Sequence, residues 1–377
     1  MTIGILGGGQ LGYMLALAGY PLDFHFRFLD PSPQAPVGRI ASRVTAEYAD
    51  FEALEKFAHG LALVTYEFEN VPIEAARFLQ KLVPVYPPPQ ALETAQDRRS
   101  EKKLFQKLSI PTTEFAAVDS AHDLENAVRK IGLPSVLKTC RLGYDGKGQW
   151  VLRTGEDVER ARAEIPAAPL MLEKFVKFSR ELSILAVRAR SGETAFYPLV
   201  ENHHRGGILR LSLAPAPHLA EALQREAENA ARRVLEALGY VGVLAIELFE
   251  CDGRLLANEM APRVHNSGHW TIEGAVTSQF ENHLRAVAGL PLGDTRTLGH
   301  SAMLNLIGEL PAPAEILAVS DAHFHVYGKA LRQGRKVGHV TLRADSAEQL
   351  TQRLRQLPAF FHRAEFCLSD RTAQSAK

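Results

Sequence analysis

Several short stretches of the chain combine residue types suited to phosphate chemistry. After Lys138 comes Gly143-Tyr144-Asp145-Gly146-Lys147-Gly148-Gln149, followed by the strand-like Trp150-Val151. Three glycines within six residues let a hairpin close over phosphates, and Lys147 adds a cation beside them. The run lacks the G-x-x-x-x-G-K-[ST] form and precedes a strand, so it is not a Walker loop; a plain surface hairpin is the other reading. Glu247 and Asn258-Glu259 interrupt two otherwise apolar strands. An ionised carboxylate on a buried strand is costly unless it is paired or bound to a cation. Two such strands side by side would form a hard oxygen site suited to Mg²⁺, and a solvent face or arginine pairing is the alternative. Directly downstream, Pro262 to Trp270 carries Arg263, His265 and Asn266, a set suited to binding anions and bases from a loop leaving a sheet. Lys329, Arg332, Arg335 and Lys336 surround Gly334 and suit either a sugar phosphate or a solvated face.

A weaker signal lies at the start. Gly7, Gly9 and Gly12 fit G-x-G-x-x-G between a strand and a helix, and Asp30 ends the next strand where a ribose-binding acid would sit. The turn suits NAD, another phosphate ligand, or close packing of helix on strand.

These residues need a scaffold, and the apolar pattern supplies one. Strands at 2–6, 25–29 and 61–65 alternate with helices at 10–18 and from Asp50, which implies a parallel α/β sheet covered on both faces. Pro87-Pro88-Pro89 is expected to prevent both helix and central strand and to end that unit. Helices follow at 97–108 and 120–131, then a strand at 136–138. Strands at 170–175, 181–190, 194–200, 208–213, 243–250 and 255–260, interrupted by a helix at 220–238, predict a largely antiparallel α+β region. Strands at 302–307, 323–327 and 337–343 and a helix at 346–357 read as a small accessory domain, with a frayed polar tail after Ser369.

Composition narrows the class. A chain of 377 residues suggests two or three domains, and 46% hydrophobic with 23% charged residues fits a globular enzyme. Lysine plus arginine equals aspartate plus glutamate at 43 each, so no global field draws nucleic acid or an anionic membrane. No apolar run nears the roughly 20 residues that span a bilayer. Three scattered cysteines and no leader-like start point to a cytoplasmic enzyme with reduced thiols.

Taken together, Gly-Gly-Gly-Gln-Leu-Gly at 7–12, the loop 143–149, Ala-Pro-Arg-Val-His-Asn-Ser-Gly-His-Trp at 261–270 and Gly-Arg-Lys-Val-Gly-His at 334–339 resemble the N5-carboxyaminoimidazole ribonucleotide synthase family. The match runs from near residue 1 to about 345. It implies the ATP-grasp fold: an N-terminal doubly wound parallel, biotin-carboxylase-like domain (1–95), a central grasp domain (96–298) and a small C-terminal domain (299–377). The implied activity is an ATP-dependent carbon–nitrogen ligase of purine biosynthesis. It joins aminoimidazole ribonucleotide, bicarbonate and ATP through carboxyphosphate, with Mg²⁺ as cofactor and a homodimer as assembly.

By the same resemblance, Arg98, Lys138, Gly143 to Gln149, Glu173, Lys174, Phe175, Val176, Glu181, His204, Asn258 and Glu259 form the ATP site. Glu173 to Val176 would face the adenine and Glu181 would hold the ribose, while Glu247 and Glu259 would hold the metal. Gln10, Leu11, Tyr144, Asp145, Arg263, His265, Asn266, Lys329, Arg335 and Lys336 form the ribonucleotide and bicarbonate side. Asp145, Lys138, Arg263, His265 and Asn266 are the catalytic candidates. Tyr13 departs from the arginine the family commonly has there; replacing an arginine that hydrogen-bonds a phosphate costs about 1–3 kcal/mol. The rival functions are another ATP-grasp ligase (formate-dependent glycinamide ribonucleotide transformylase or biotin carboxylase), an NAD-dependent oxidoreductase and a non-catalytic nucleotide-binding regulator.

Overall fold

The computed structural model describes residues 1–143, 148–164 and 168–362. The chain opens with four parallel strands, β1 (Thr2–Leu6), β2 (His25–Leu29), β3 (Ser42–Val44) and β4 (Leu63–Tyr66), in the order β3-β2-β1-β4. Alternate side chains of this sheet feed two cores. Ile3, Ile5, Phe26 and Phe28 enter one, and Leu6, Leu29, Val64 and Tyr66 enter the other. Both faces are therefore buried, as parallel sheets require. The proline run does not exclude a helix: one spans Pro89–Ala95, with Pro88 as its N-cap and Pro89 in its first turn. The first helical position needs no N–H, so proline fits there.

The helix Arg98–Lys107 follows, capped by Asp97, whose Oδ1 accepts from the N–H groups of Arg99 and Ser100 at 3.1 Å each. A four-stranded antiparallel sheet is built from β5 (Phe115–Val118), β6 (Ser135–Thr139), β7 (Gln149–Leu152) and β8 (Leu170–Lys174), in the order β5-β8-β6-β7. The helices Ala121–Ile131 and Gly155–Glu164 share one apolar core with it.

The large sheet contains β9 (Arg180–Arg188), β10 (Thr194–Phe196), β11 (Val200–Arg205), β12 (Ile208–Ala214), β13 (Gly242–Cys251), β14 (Arg254–Ala261), β15 (His300–Ile307), β16 (Ala322–Val326) and β17 (Lys336–Ala344). Its order is β14-β13-β9-β11-β12-β15-β17-β16, with β10 paired to β9. The expected strand 194–200 is broken at Tyr197-Pro198-Leu199, where Pro198 has no N–H for a ladder, and β11 runs on to Arg205. The three strands read as an accessory unit extend this same sheet, because β12 pairs with β15. The long helix Glu221–Ala237 covers one face through Ala227, Ala231 and Val234. On the other face Leu185, Val187, Val243 and Ala245 join the core beneath β1.

Candidate active site

The row on β13 that starts apolar with Val243 and Ala245 ends in Glu247, and the row on β9 that includes Leu185 and Val187 ends in Glu181. Both acids open onto a cavity of about 500 Å³ between the small and large sheets. Glu247 and Glu259 are direct cross-strand partners, whereas Leu248 pairs with Ala257. Asn258 is therefore the extra residue of a β-bulge, which lets Asn258 and Glu259 both line the cavity although they are consecutive.

The electrostatics of these acids differ. Burial raises the Glu247 carboxyl, and the facing Glu259 raises it further, to about 7. Burial would also raise Glu259, but Arg98 outweighs it: its NH1 lies 2.6 Å from Oε2, and the carboxyl is held at about 2. Asn258 Oδ1 is buried and has no hydrogen-bond partner among the described residues. Within the same residues no cluster of three or more His, Cys, Asp or Glu is arranged to hold a metal. Two carboxylates and an orphaned amide oxygen do fit a hard cation that takes its other ligands from phosphate and water.

From the small sheet, Lys138 and Gln149 are cross-strand partners, and both line the cavity with Gly143. Gly148, at the turn into β7, has φ +69°, and a Cβ there would sit 2.5 Å from Thr139 Oγ1, so glycine is required. Tyr144, Asp145, Gly146 and Lys147 lie outside the described residues. Glu173 is buried and pairs with Lys138 at 2.5 Å; it does not line the cavity, and neither do Lys174, Phe175 and Val176. Glu181 bonds His204 Nδ1; burial lowers that imidazole, and the carboxylate more than reverses the effect, so its pKa is raised.

Gln10, Leu11, Arg263, His265, Asn266 and Lys336 line the same cavity. Arg263 Nε donates to Glu69, a lining acid that the sequence did not single out. His265 Nδ1 accepts from Ser267 N–H at 3.3 Å, which leaves the proton on Nε2, 3.4 Å from Glu247 Oε1. Burial first, then Arg263 and Lys336, lower His265 to about 3, so it is neutral. The Asn266 amide exchanges two hydrogen bonds with that of Asn305, at 3.0 and 2.8 Å. Lys329 donates to Gln10 Oε1, while Arg335 turns to the Ala330 carbonyl; neither lines the cavity.

The first glycine turn differs from its expected role. Gly9 N–H donates to Glu67 Oε1 at 2.7 Å, and Leu11 and Gly12 donate to Oε2 at 3.1 Å. Asp30, the expected ribose acid, accepts from Gly8 and Ser32. A buried carboxylate of the chain itself thus holds the helix N-terminus that a dinucleotide phosphate would need. A Cβ on Gly9 would lie 2.6 Å from Glu67 Oε1, so the glycine makes room for this acid. Tyr13 packs half-buried against the adjoining core.

Two sheets closing on a cavity with a lysine on one side and paired acids on the other define an ATP-grasp enzyme. Residues 103–280 match the ATP-grasp domain, 1–96 the ribonucleotide synthetase preATP-grasp domain, and 301–353 the phosphoribosylaminoimidazole carboxylase C-terminal domain. The chain is 57% identical over 359 residues to N5-carboxyaminoimidazole ribonucleotide synthase of Pseudomonas aeruginosa, covering 95% of this chain and 99% of that one. The crystal structure of the synthetase from Thermus thermophilus superposes with a TM-score of 0.91 at 62% identity, covering 94% and 97% of the two chains. That of the synthase from Aspergillus clavatus, in complex with ADP and 5-aminoimidazole ribonucleotide, gives 0.87 at 31% identity, covering 94% and 96%. The chain belongs to the N5-carboxyaminoimidazole ribonucleotide synthase family of ATP-grasp ligases.

Proposed function

We propose that this chain carboxylates the amine of 5-aminoimidazole ribonucleotide with bicarbonate and ATP, giving ADP, phosphate and the N5-carboxy product. The facing pair Glu247 and Glu259, with Arg98 and Lys138 around them, is the observation that carries the reading. The nucleotide lies between the sheets, with its phosphates toward Lys138, Arg98 and the loop 143–149. Glu181 and His204 take its ribose. Glu247, Glu259 and Asn258 would hold Mg²⁺, which when bound would neutralise charge on the phosphate oxygens. Gln10, Leu11, Arg263 and Lys336 take the ribonucleotide and bicarbonate, with Tyr144 and Asp145 completing that side and Lys329 acting through Gln10.

Bicarbonate is a poor electrophile. Transfer of the γ-phosphoryl group to one of its oxygens releases ADP and forms carboxyphosphate, which splits to phosphate and CO₂. The exocyclic amine attacks that carbon and gives up a proton, for which Asp145 is the proposed acceptor. Positioning and charge neutralisation do most of the work in the first step. Neutral His265, with Nε2 3.4 Å from Glu247 Oε1, sits beside that carboxylate without adding a charge. Asn266 acts through Asn305, which ties the loop 261–270 to β15. We place the enzyme in the cytoplasm as a homodimer with the division 1–95, 96–298 and 299–377. Among the described residues no helix is long and apolar enough to cross a membrane.

The test is ADP formation with aminoimidazole ribonucleotide and bicarbonate supplied together or singly, beside glycinamide ribonucleotide with formate. ADP should form only with the first pair. Turnover with the second pair instead would move the chain to another ATP-grasp reaction.

A further inference from the structure

Lys102 lies on the helix Arg98–Lys107, is 1% exposed and does not reach the cavity. A buried lysine is costly unless its charge is matched. Its Nζ donates to Thr112 Oγ1 at 3.0 Å and to the Ala257 carbonyl at 3.2 Å. It also lies 3.2 Å from Glu173 Oε1, an oxygen that accepts no hydrogen bond among the described residues. The other oxygen of that carboxylate, Oε2, receives Lys138 at 2.5 Å. Burial draws the Lys102 ammonium below the usual lysine range, and Glu173 offsets only part of that shift.

Two features of this arrangement bear on the nucleotide site. Glu173 belongs to β8 of the small sheet, and Ala257 to β14 of the large one, one residue before the bulge at Asn258. Lys102 therefore joins the two sheets that face each other across the cavity. The joint is reinforced by Ala257 N–H donating to the Pro111 carbonyl at 2.8 Å and by Thr112 Oγ1 donating to the Ala257 carbonyl at 2.8 Å. The charges also count. Two lysines share one carboxylate, so the group carries a net positive charge, and Lys138 is its member on the cavity wall. Without Lys102, Lys138 would be the one lysine bonded to Glu173, and less of its charge would face an anion.

We propose that Lys102 is a positioning residue for ATP: by neutralising Glu173 from behind, it frees the charge of Lys138 for the polyphosphate while pinning β8 to β14. The proposal rests on the nucleotide reading of the cavity. It goes further by assigning a role to a side chain that touches no substrate.

A double-mutant cycle tests it, with equilibrium binding of ATP as the readout and wild-type binding measured first. If the wild-type protein does not bind ATP, the nucleotide reading itself fails. Given wild-type binding, Lys102→Met is expected to weaken ATP by about ten-fold or more, because Glu173, left without its second lysine, would then hold Lys138 in an ion pair that the polyphosphate must break. The KM for the aminoimidazole ribonucleotide should stay within about two-fold. When Glu173→Gln is already present, the same Lys102→Met change is expected to cost less than about two-fold, because no carboxylate remains to claim Lys138. The cycle cancels any direct contact between Glu173 and the nucleotide. Equal losses in the two backgrounds, or no loss in either, would overturn the proposal and leave Lys102 as packing alone. Lys102→Gln, which keeps a donor for the Ala257 carbonyl, runs the same cycle if the methionine variant does not fold.

Discussion

Glu247 and Glu259 face each other across two strands, and like charges so placed repel unless something intervenes. Arg98 supplies the intervening charge for Glu259, while burial and the facing Glu259 keep the Glu247 carboxyl well above the usual carboxylate range. A cation bound here would meet one ready carboxylate and one that ionises as the ion arrives. Glu259→Gln should therefore lower ATP-dependent phosphate release on the order of 10²–10³-fold with an unchanged circular dichroism spectrum. Near-normal turnover would remove Glu259 from the mechanism. Glu67 supports a second prediction. Its truncation to alanine leaves the N–H groups of Gly9, Leu11 and Gly12 without their acceptor, at about 1–3 kcal/mol for an unsatisfied buried group. A loss of about 3 kcal/mol in urea denaturation is expected; a loss within error would mean the turn does not depend on this carboxylate. The sequence marks Glu247 and Glu259 because each interrupts an apolar strand. It carries no sign of Glu67, Glu101 or Lys102, since nothing local shows that a charged side chain lands in a buried site formed by distant segments. Glu101 illustrates the point: it accepts from Met260 N–H at 2.6 Å, and burial, then Glu259, raise it to about 8.

At the scale of elements, the bulge in β14 sets the geometry of the site. Strand side chains alternate between faces, so a regular β14 could not direct both Asn258 and Glu259 into one cavity. Asn258→Ala keeps the bulge and removes one oxygen, and should raise the Mg²⁺ needed for half-maximal phosphate release by about ten-fold, the worth of one modest ligand interaction. Deleting Asn258 removes the bulge while leaving the pairs Glu247–Glu259 and Leu248–Ala257 in one unbroken ladder, and should lower phosphate release beyond the effect of Asn258→Ala even at saturating Mg²⁺, because the bulge no longer aims Glu259. Equal behaviour of the two variants would show that the bulge has no role beyond its side chain. Periodicity places most strands and helices to within a few residues because their apolar faces are local properties. The bulge is a property of a strand pair and is not legible in one strand alone. The same holds for the joining of β12 to β15, which makes one sheet of two stretches far apart in the chain. Pro198 is plain in the sequence, yet the apolar run 194–200 masks the break that it imposes.

Across the whole molecule the structure buries several neutral histidines, His265, His269, His283 and His339, each held below the usual imidazole range first by burial. His283 is the cleanest case, because burial alone lowers it, to about 3. Its Nδ1 accepts from Val243 N–H at 3.1 Å, so Nε2 carries the proton and donates to Thr65 Oγ1 at 2.9 Å, joining β4 of the first sheet to β13 of the large one. Above an unfolded pKa of about 6.5 both states hold a neutral ring, and the interaction contributes in full. As pH falls below that value the unfolded ring takes up a proton that the folded ring refuses. Stability then drops by up to about 1.4 kcal/mol per pH unit for this group, until the folded pKa near 3 is reached. His283→Gln keeps an acceptor and a donor but cannot titrate. The variant should be less stable than the wild type at pH 7.5, yet lose about 1 kcal/mol less between pH 7.5 and 5.5 in urea denaturation. If both proteins lose stability in parallel over that interval, the ring is not held neutral, and the joint between the two sheets does not set the acid sensitivity of the fold.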